Sequence, residues 1–95
     1  MQTFIMTGKY SAEAIKKISA PRTKKANQIV KQCQGAIVDV YATMGKTDLL
    51  VITRFPGVSE AMKASVKLSE AFGISFATAP ALPIDEFDKV VSAKK

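Results

Sequence analysis

Three residues with chemically useful side chains lie at alternate positions of two neighbouring segments. Asp39 and Tyr41 stand two residues apart in the β-prone segment 36–44, and Arg54 lies near the end of the β-prone segment 49–55. Residues two apart in a strand point to the same face of a sheet, so a hairpin of these segments places all three side chains together. A guanidinium binds anionic groups, and a tyrosine ring can floor a pocket. The pattern predicts either a site for a small anionic ligand or an interface that contains one ion pair.

Asp48 is a fourth candidate for ligand binding, at the end of the turn-like segment Gly45-Lys46-Thr47-Asp48. A turn aspartate commonly accepts hydrogen bonds from backbone N–H groups, which is the alternative role. Gly45-Lys46-Thr47 also resembles the end of a phosphate-binding loop. That loop needs a further glycine five residues earlier, where this chain has Val40, so we predict a hairpin turn.

Several kinds of chemistry are disfavoured by composition. The chain has no histidine, which removes the commonest general base and most transition-metal sites. Asp85, Glu86 and Asp88 cluster at a predicted helix start, where the helix dipole explains them. The single cysteine, Cys33, falls on an apolar helical stripe and is predicted to be a packed, inert thiol. We assign no catalytic residue, cofactor or metal, and we favour a protein that is not an enzyme.

The formal net charge of +6 favours an anionic partner. A solvated face is the simple interpretation of the basic first helical region, and weak nucleic-acid binding is the alternative. RNA-recognition domains need aromatic residues on their central strands, and the segment 48–55 lacks that pattern, so nucleic acid is disfavoured. No run is long and apolar enough for a membrane span, and we expect a cytoplasmic protein. The basic residues of this region are Lys16, Lys17, Arg22, Lys24, Lys25 and Lys31.

The first half of the chain predicts a strand at 3–7 and then two helical stretches. Ser11 is the expected N-cap of the first stretch, which Pro21 interrupts. The second carries an apolar stripe and ends at Gly35, the expected C′ residue. The stripe residues are Ala26, Ile29, Val30 and Cys33.

The middle of the chain predicts an antiparallel hairpin of the segments 36–44 and 49–55. We expect Met44 to pair with Leu49, which sets Asp39 directly across from Arg54.

The remaining sequence, after the hairpin, predicts a helix capped by Ser59 and ended by Gly73, a strand at 74–78 and a short terminal helix. The predicted stripe of the first of these helices is Ala61, Met62, Ser65, Leu68, Ala71 and Phe72. The terminal helix is expected to pack its apolar residues back on the body, and these are Ile84, Phe87, Val90 and Val91.

Ninety-five residues, 47% of them hydrophobic, predict one domain over 1–95, with disorder only at Lys94 and Lys95. The order β-α-β-β-α-β-α predicts an α+β fold, the ferredoxin-like split βαβ sandwich with helices on one sheet face. The other face still carries apolar side chains, so we expect two sheets to stack in a homodimer or larger homo-oligomer of the α+β barrel type.

The chain resembles the GYD domain family of small bacterial proteins over nearly its whole length. The resemblance implies a ferredoxin-like, oligomeric α+β domain of largely unassigned biochemical role. Gly45 and Asp48 of the naming motif are kept, whereas Thr47 replaces the family's tyrosine. The residues that carry the resemblance are Thr3-Phe4-Ile5-Met6, Lys9-Tyr10-Ser11, Ile18-Ser19-Ala20-Pro21-Arg22-Thr23, Val40-Tyr41-Ala42-Thr43-Met44-Gly45, Asp48 and Phe87.

Our leading hypothesis is a homo-oligomeric small-ligand-binding or regulatory domain with its site between stacked sheets. The candidate ligand-binding residues are Tyr41, Arg54, Asp39 and Asp48. One alternative is a cofactor-independent small-molecule enzyme that uses the dimer cavity. The other is weak nucleic-acid binding through the basic first helix.

Overall fold

The computed structural model describes residues 1–92, and the disorder predicted for Lys94 and Lys95 lies outside this range. Four strands and four helices follow the predicted order, with the first helical region divided in two. The strands are β1 (Gln2–Tyr10), β2 (Ala36–Ala42), β3 (Leu49–Phe55) and β4 (Ile74–Ala81). The helices are α1 (Ala12–Ile15), α2 (Ala20–Gln32), α3 (Val58–Phe72) and α4 (Ile84–Ser92).

The four strands form one antiparallel sheet in the order β2-β3-β1-β4. The helices α2 and α3 pack on one face of it, so the predicted split βαβ fold is confirmed. The core between the sheet and the helices is centred on Phe4 and Phe55. Their rings pack edge to face, with the ring centroids 6.0 Å apart. Cys33 is buried in this core, as its stripe position predicts.

The helix starts in the first half follow the predicted signals. Ser11 caps α1, and its Oγ accepts a hydrogen bond from the backbone N–H of Ala14 at 3.0 Å. Pro21 stands in the first turn of α2, where its missing N–H leaves no intrahelical bond unmade. The proline therefore separates α1 from α2, as predicted.

The end of α2 corrects one prediction. Gln34, with φ of 65°, occupies the left-handed C′ position assigned to Gly35. Gly35 follows it and donates its N–H to Val30 O at 3.0 Å, which closes a Schellman motif. The glycine is required for a different reason, because a Cβ there would overlap the Phe55 ring and stand 2.8 Å from Arg54 O.

The helix α3 is capped by Gly57 and not by Ser59. Its end at Gly73, with φ of 67°, is confirmed. The predicted stripe is wrong at Met62, which is 62% exposed, and at Ala71, which is also exposed. The residues that α3 buries are Ala61, Ala64, Leu68 and Phe72.

The predicted hairpin register is wrong by two residues. Leu49 pairs with Ala42 and not with Met44, and a register shift follows Ile37. Asp39 therefore lies opposite Ile52, and Ala36 lies opposite Arg54. From Asp39 to Ala42 the slip is two residues, which keeps each side chain on its predicted face because the side-chain period of a strand is two. Beyond the register shift the slip is three residues, so Ile37 packs on the core and Val38 is exposed.

The prediction that α4 packs back on the body is also wrong. None of its residues is buried, and its apolar side chains are between 49% and 72% exposed. The preceding strand β4 stays paired with β1 up to Ala81, opposite Thr3, so the chain leaves the sheet at this end before α4 begins. The apolar side chains concerned are Ile84, Phe87, Val90 and Val91.

Candidate functional site

The sheet face opposite the helices, here called the open face, carries every predicted ligand-binding residue except Asp48. Side chains alternate along each strand, so the residues between the core positions point to this face. The open face consists of Thr3, Ile5, Thr7, Lys9, Ala36, Asp39, Tyr41, Leu50, Ile52, Arg54, Ser75, Ala77, Ala79 and Ala81.

The centre of the open face is apolar. Ile5 lies between Ile52 on β3 and Ala79 on β4, and Leu50 is the cross-strand partner of Tyr41. The three large aliphatic side chains are only half-buried by their neighbours, and α4 does not roof them. The residues of β4 on this face are small and project little from the sheet. A second sheet can therefore pack on it at the usual sheet-to-sheet distance of about 10 Å.

Tyr41 and Arg54 share the open face but stand far apart. Tyr41 is opposite Leu50, and Arg54 lies four residues further along β3. At about 3.3 Å per residue, their backbone positions are separated by roughly 13 Å. One compact head group cannot touch both, and a molecule that contacts both must be elongated.

Asp39 and Arg54 are closer together. Asp39 pairs with Ile52, two residues before Arg54, which makes the two charged residues diagonal neighbours at about 7–8 Å. Both residues are exposed. The open face therefore presents opposite charges toward one common space, and the direct cross-strand pair predicted from the sequence does not form.

Asp48 has a structural task in the hairpin. Its Oδ2 accepts a hydrogen bond from Tyr10 N at 3.0 Å, and its own N–H donates to Gly8 O at 2.8 Å. Its carbonyl accepts from Thr43 N at 3.0 Å. Asp48 thus ties the β2–β3 turn to β1, which is the backbone role foreseen for a turn aspartate, and its ligand role stays a prediction.

The motif around Asp48 is organised by backbone geometry. Gly45 has φ of 110°, a backbone conformation that residues other than glycine rarely adopt. Thr43 Oγ1 donates to Thr47 O at 2.8 Å and lies 3.5 Å from Thr47 Oγ1, so the shorter contact is with the carbonyl. The glycine and the aspartate of this motif therefore shape the turn.

Sequence reasoning missed two kinds of residue. Thr3 is the cross-strand partner of Arg54, and the predicted topology, with β1 beside β3, carried enough information to find it. Arg22 was assigned to a solvated basic face, but it is half-buried and donates to Ala14 O at 2.9 Å and to Phe72 O at 2.8 Å. No local pattern indicated these bonds, since both acceptors are backbone atoms of other helices.

Residues 1–92 contain neither a cluster of metal-ligating side chains nor a membrane-spanning helix. Within residues 1–92, no group of three or more histidine, cysteine or acidic side chains is arranged to hold a metal ion. None of the helices in that range has the length and apolarity to cross a membrane.

Comparison with solved structures finds the same kind of fold in other proteins. The chain is similar to the Mycobacterium tuberculosis leucine response regulatory protein LrpA, at 6% identity and a TM-score of 0.58, over 86% of this chain and 51% of that one. It is also similar to a putative glycine cleavage system transcriptional repressor, at 16% identity and a TM-score of 0.55, over 86% of this chain and 47% of that one. The chain thus spans about half the length of each. At such identities the likeness concerns the fold.

No curated protein matches the chain. The GYD domain family matches residues 4–91. This range runs from β1 into α4 and includes every strand and helix between them. The chain belongs to the GYD domain family.

Proposed function

We propose that the protein is a homo-oligomeric regulatory domain that binds a small molecule between two stacked sheets. The observation that carries the proposal is the open face, an apolar strip with Asp39, Arg54 and Tyr41 on it and no described element above it. Exposed apolar faces of this kind usually mark an interface or a ligand site. The names of the two similar solved proteins support a regulatory role.

Stacking of two open faces would supply much, but not all, of a stable interface. Four strands about 4.8 Å apart and about seven residues long cover roughly 440 Å². A standard stable interface buries about 800 Å² on each partner. The flat outline of the open face is about half of that value, and projecting side chains add accessible surface to it, so further contacts between the copies would strengthen the interface.

The charges on the open face favour a ligand with an anionic group. The Arg54 guanidinium can bind a carboxylate with two parallel hydrogen bonds. Asp39, at about 7–8 Å, would accept a cationic group of the same molecule. Ile5 and Ile52 offer an apolar floor beside them. Amino acids combine these three features, and they are the ligand class that we propose.

The test is binding of a small panel to the purified oligomer: glycine, leucine and inorganic phosphate, measured by calorimetry. We expect at least one amino acid to bind and the variant Arg54→Gln to weaken that binding by roughly tenfold or more, since a charged hydrogen-bonded pair is lost. Lys63→Gln, at an exposed position of α3, is the matched control. Absence of binding, together with no co-purified ligand in native mass spectrometry, would contradict the proposal. Equal effects of the two variants would remove Arg54 from it.

A further inference from the structure

The helix α4 presents an apolar stripe that the other described residues leave at least about half exposed. Ile84, Phe87 and Val91 recur at the i, i+3, i+7 spacing of one helix face, and each is about half exposed or more. No extensive packing joins α4 to another of the described elements. An amphipathic helix gains its stability chiefly by burying such a face, so α4 lacks a partner surface within one copy.

A small apolar pocket, here called the socket, lies on the helix side of the sheet. It has a volume of about 90 Å³ and is situated between the sheet and the connection of α1 to α2. Ile18 and Val40 stand at it, 60% and 45% exposed, and Tyr10 and Leu49 line it further. Small-molecule pockets start at about 300 Å³, so this socket suits a single large apolar side chain.

The surroundings of the socket and of the α4 stripe carry opposite charges. Arg22 and Phe72 also line an adjoining groove, in which Lys17 and Lys25 outnumber the one acidic residue, Glu13. The helix α4 has three acidic residues, Asp85, Glu86 and Asp88, against one lysine. Charge complementarity of this kind favours the encounter of the two surfaces and fixes their orientation.

The α4 helix of the same copy cannot reach this socket. It leaves the sheet where Ala81 pairs with Thr3, whereas Tyr10 lies at the other end of β1. Those ends are about 23 Å apart at 3.3 Å per residue. Two connecting residues and the first turn of α4 carry Phe87 only about 15 Å from Ala81. A Phe87 side chain that fills the socket must therefore belong to another molecule.

We propose that α4 of one copy docks on a second copy of this chain, with Phe87 in the socket beside Ile18 and the acidic residues toward Lys17 and Lys25. The inference rests on the self-association in the proposed function and not on its ligand. Docking of α4 would bury apolar surface on the helix side of the partner, in addition to the area of the open faces. It also gives the basic first helical region an acidic protein partner.

Site-directed cross-linking tests the docking directly. A tagged copy with Phe87→Cys is mixed with an untagged copy with Ile18→Cys and treated with a short bis-maleimide. The control replaces the second variant by Met62→Cys, because Met62 and Ile18 are almost equally exposed. The native Cys33 is buried in every sample. We expect roughly tenfold more tagged–untagged product with Ile18→Cys, because docking raises the effective concentration of the two thiols. Equal yields would overturn the inference.

A second measurement separates this inference from the proposed function. Phe87→Ala should weaken self-association by roughly tenfold to a hundredfold, the loss expected for one buried aromatic anchor, whereas Met62→Ala should not. If Ile52→Lys dissociates the oligomer and Phe87→Ala does not, the docking of α4 is refuted while the stacking of sheets stands. If only Phe87→Ala dissociates it, the docking stands and the stacking fails.

Discussion

Arg22 holds the end of α3 through two contacts with one residue. Its Nη2 donates to Phe72 O at 2.8 Å, and its guanidinium carbon stands 4.9 Å from the centroid of the Phe72 ring. Nη1 donates to Ala14 O at 2.9 Å. The last carbonyl groups of a helix have no partner within the helix, so this arginine satisfies an acceptor while joining α1, α2 and α3.

Replacement of Arg22 should therefore destabilise the fold. We expect Arg22→Met to lower the free energy of unfolding by about 1.5–3 kcal/mol, because hydrogen bonds from a charged group are lost. Lys24→Met, at an exposed position of α2, should change it by less than about 0.5 kcal/mol. Urea unfolding followed by circular dichroism measures both. Equal stabilities of the two variants would refute the role of Arg22.

Gly35 should not tolerate a side chain. A Cβ at this position would overlap the ring of the fully buried Phe55, so Gly35→Ala should destabilise the protein by about 1–3 kcal/mol through overpacking. Gly57→Ala is the matched change, since its Cβ would meet only the Glu60 side chain at 3.4 Å. Thermal unfolding of both variants checks the difference. A Gly35→Ala protein as stable as Gly57→Ala would contradict the close packing of β2 on Phe55.

Asp48 should act through its acceptor oxygen. Asp48→Ala leaves the N–H of Tyr10 without a partner, and we expect a loss of about 1–2 kcal/mol in the free energy of unfolding. Asp48→Asn keeps an oxygen in reach and should recover most of that loss. Urea unfolding distinguishes them. If Asp48→Asn is as unstable as Asp48→Ala, the hydrogen bond to Tyr10 is not what Asp48 contributes.

A charge on the open face should prevent stacking. Ile52→Lys puts an ammonium group in the centre of the proposed interface, where its desolvation would weaken association by roughly a hundredfold. Met62→Lys introduces the same charge on the outer side of α3 and should leave association unchanged. Sedimentation velocity of the two variants makes the comparison. An Ile52→Lys protein that assembles like the wild type would exclude the open face from the interface.

The parts of the fold set by local chemistry were predictable from the sequence. Ser11, Pro21 and Gly73 each act on backbone groups within a few residues, and each ends or begins a helix where predicted. The face assignment of Tyr41 and Arg54 also held, although the register did not. A shift of two residues preserves the side-chain period of a strand.

The parts that depend on distant contacts were not predictable. The hairpin turn runs from Thr43 to Asp48 because Asp48 is bound to Gly8 and Tyr10 of β1, which a local turn rule does not contain. Because of this wider turn, Asp39 lies opposite Ile52 and not opposite Arg54, its predicted partner. For α4, the sequence pattern indicates an apolar face around Phe87 but not the surface that receives it.

The molar mass of the wild-type protein in solution tests the central claim, that the chain self-associates, most directly. One chain has a mass of 10.2 kDa. Light scattering across a dilution series should give at least twice that value at micromolar concentrations, which a stable interface would maintain. A constant mass of one chain over the whole series would contradict the account, because the open face and α4 would then both lack the second copy on which the proposals depend.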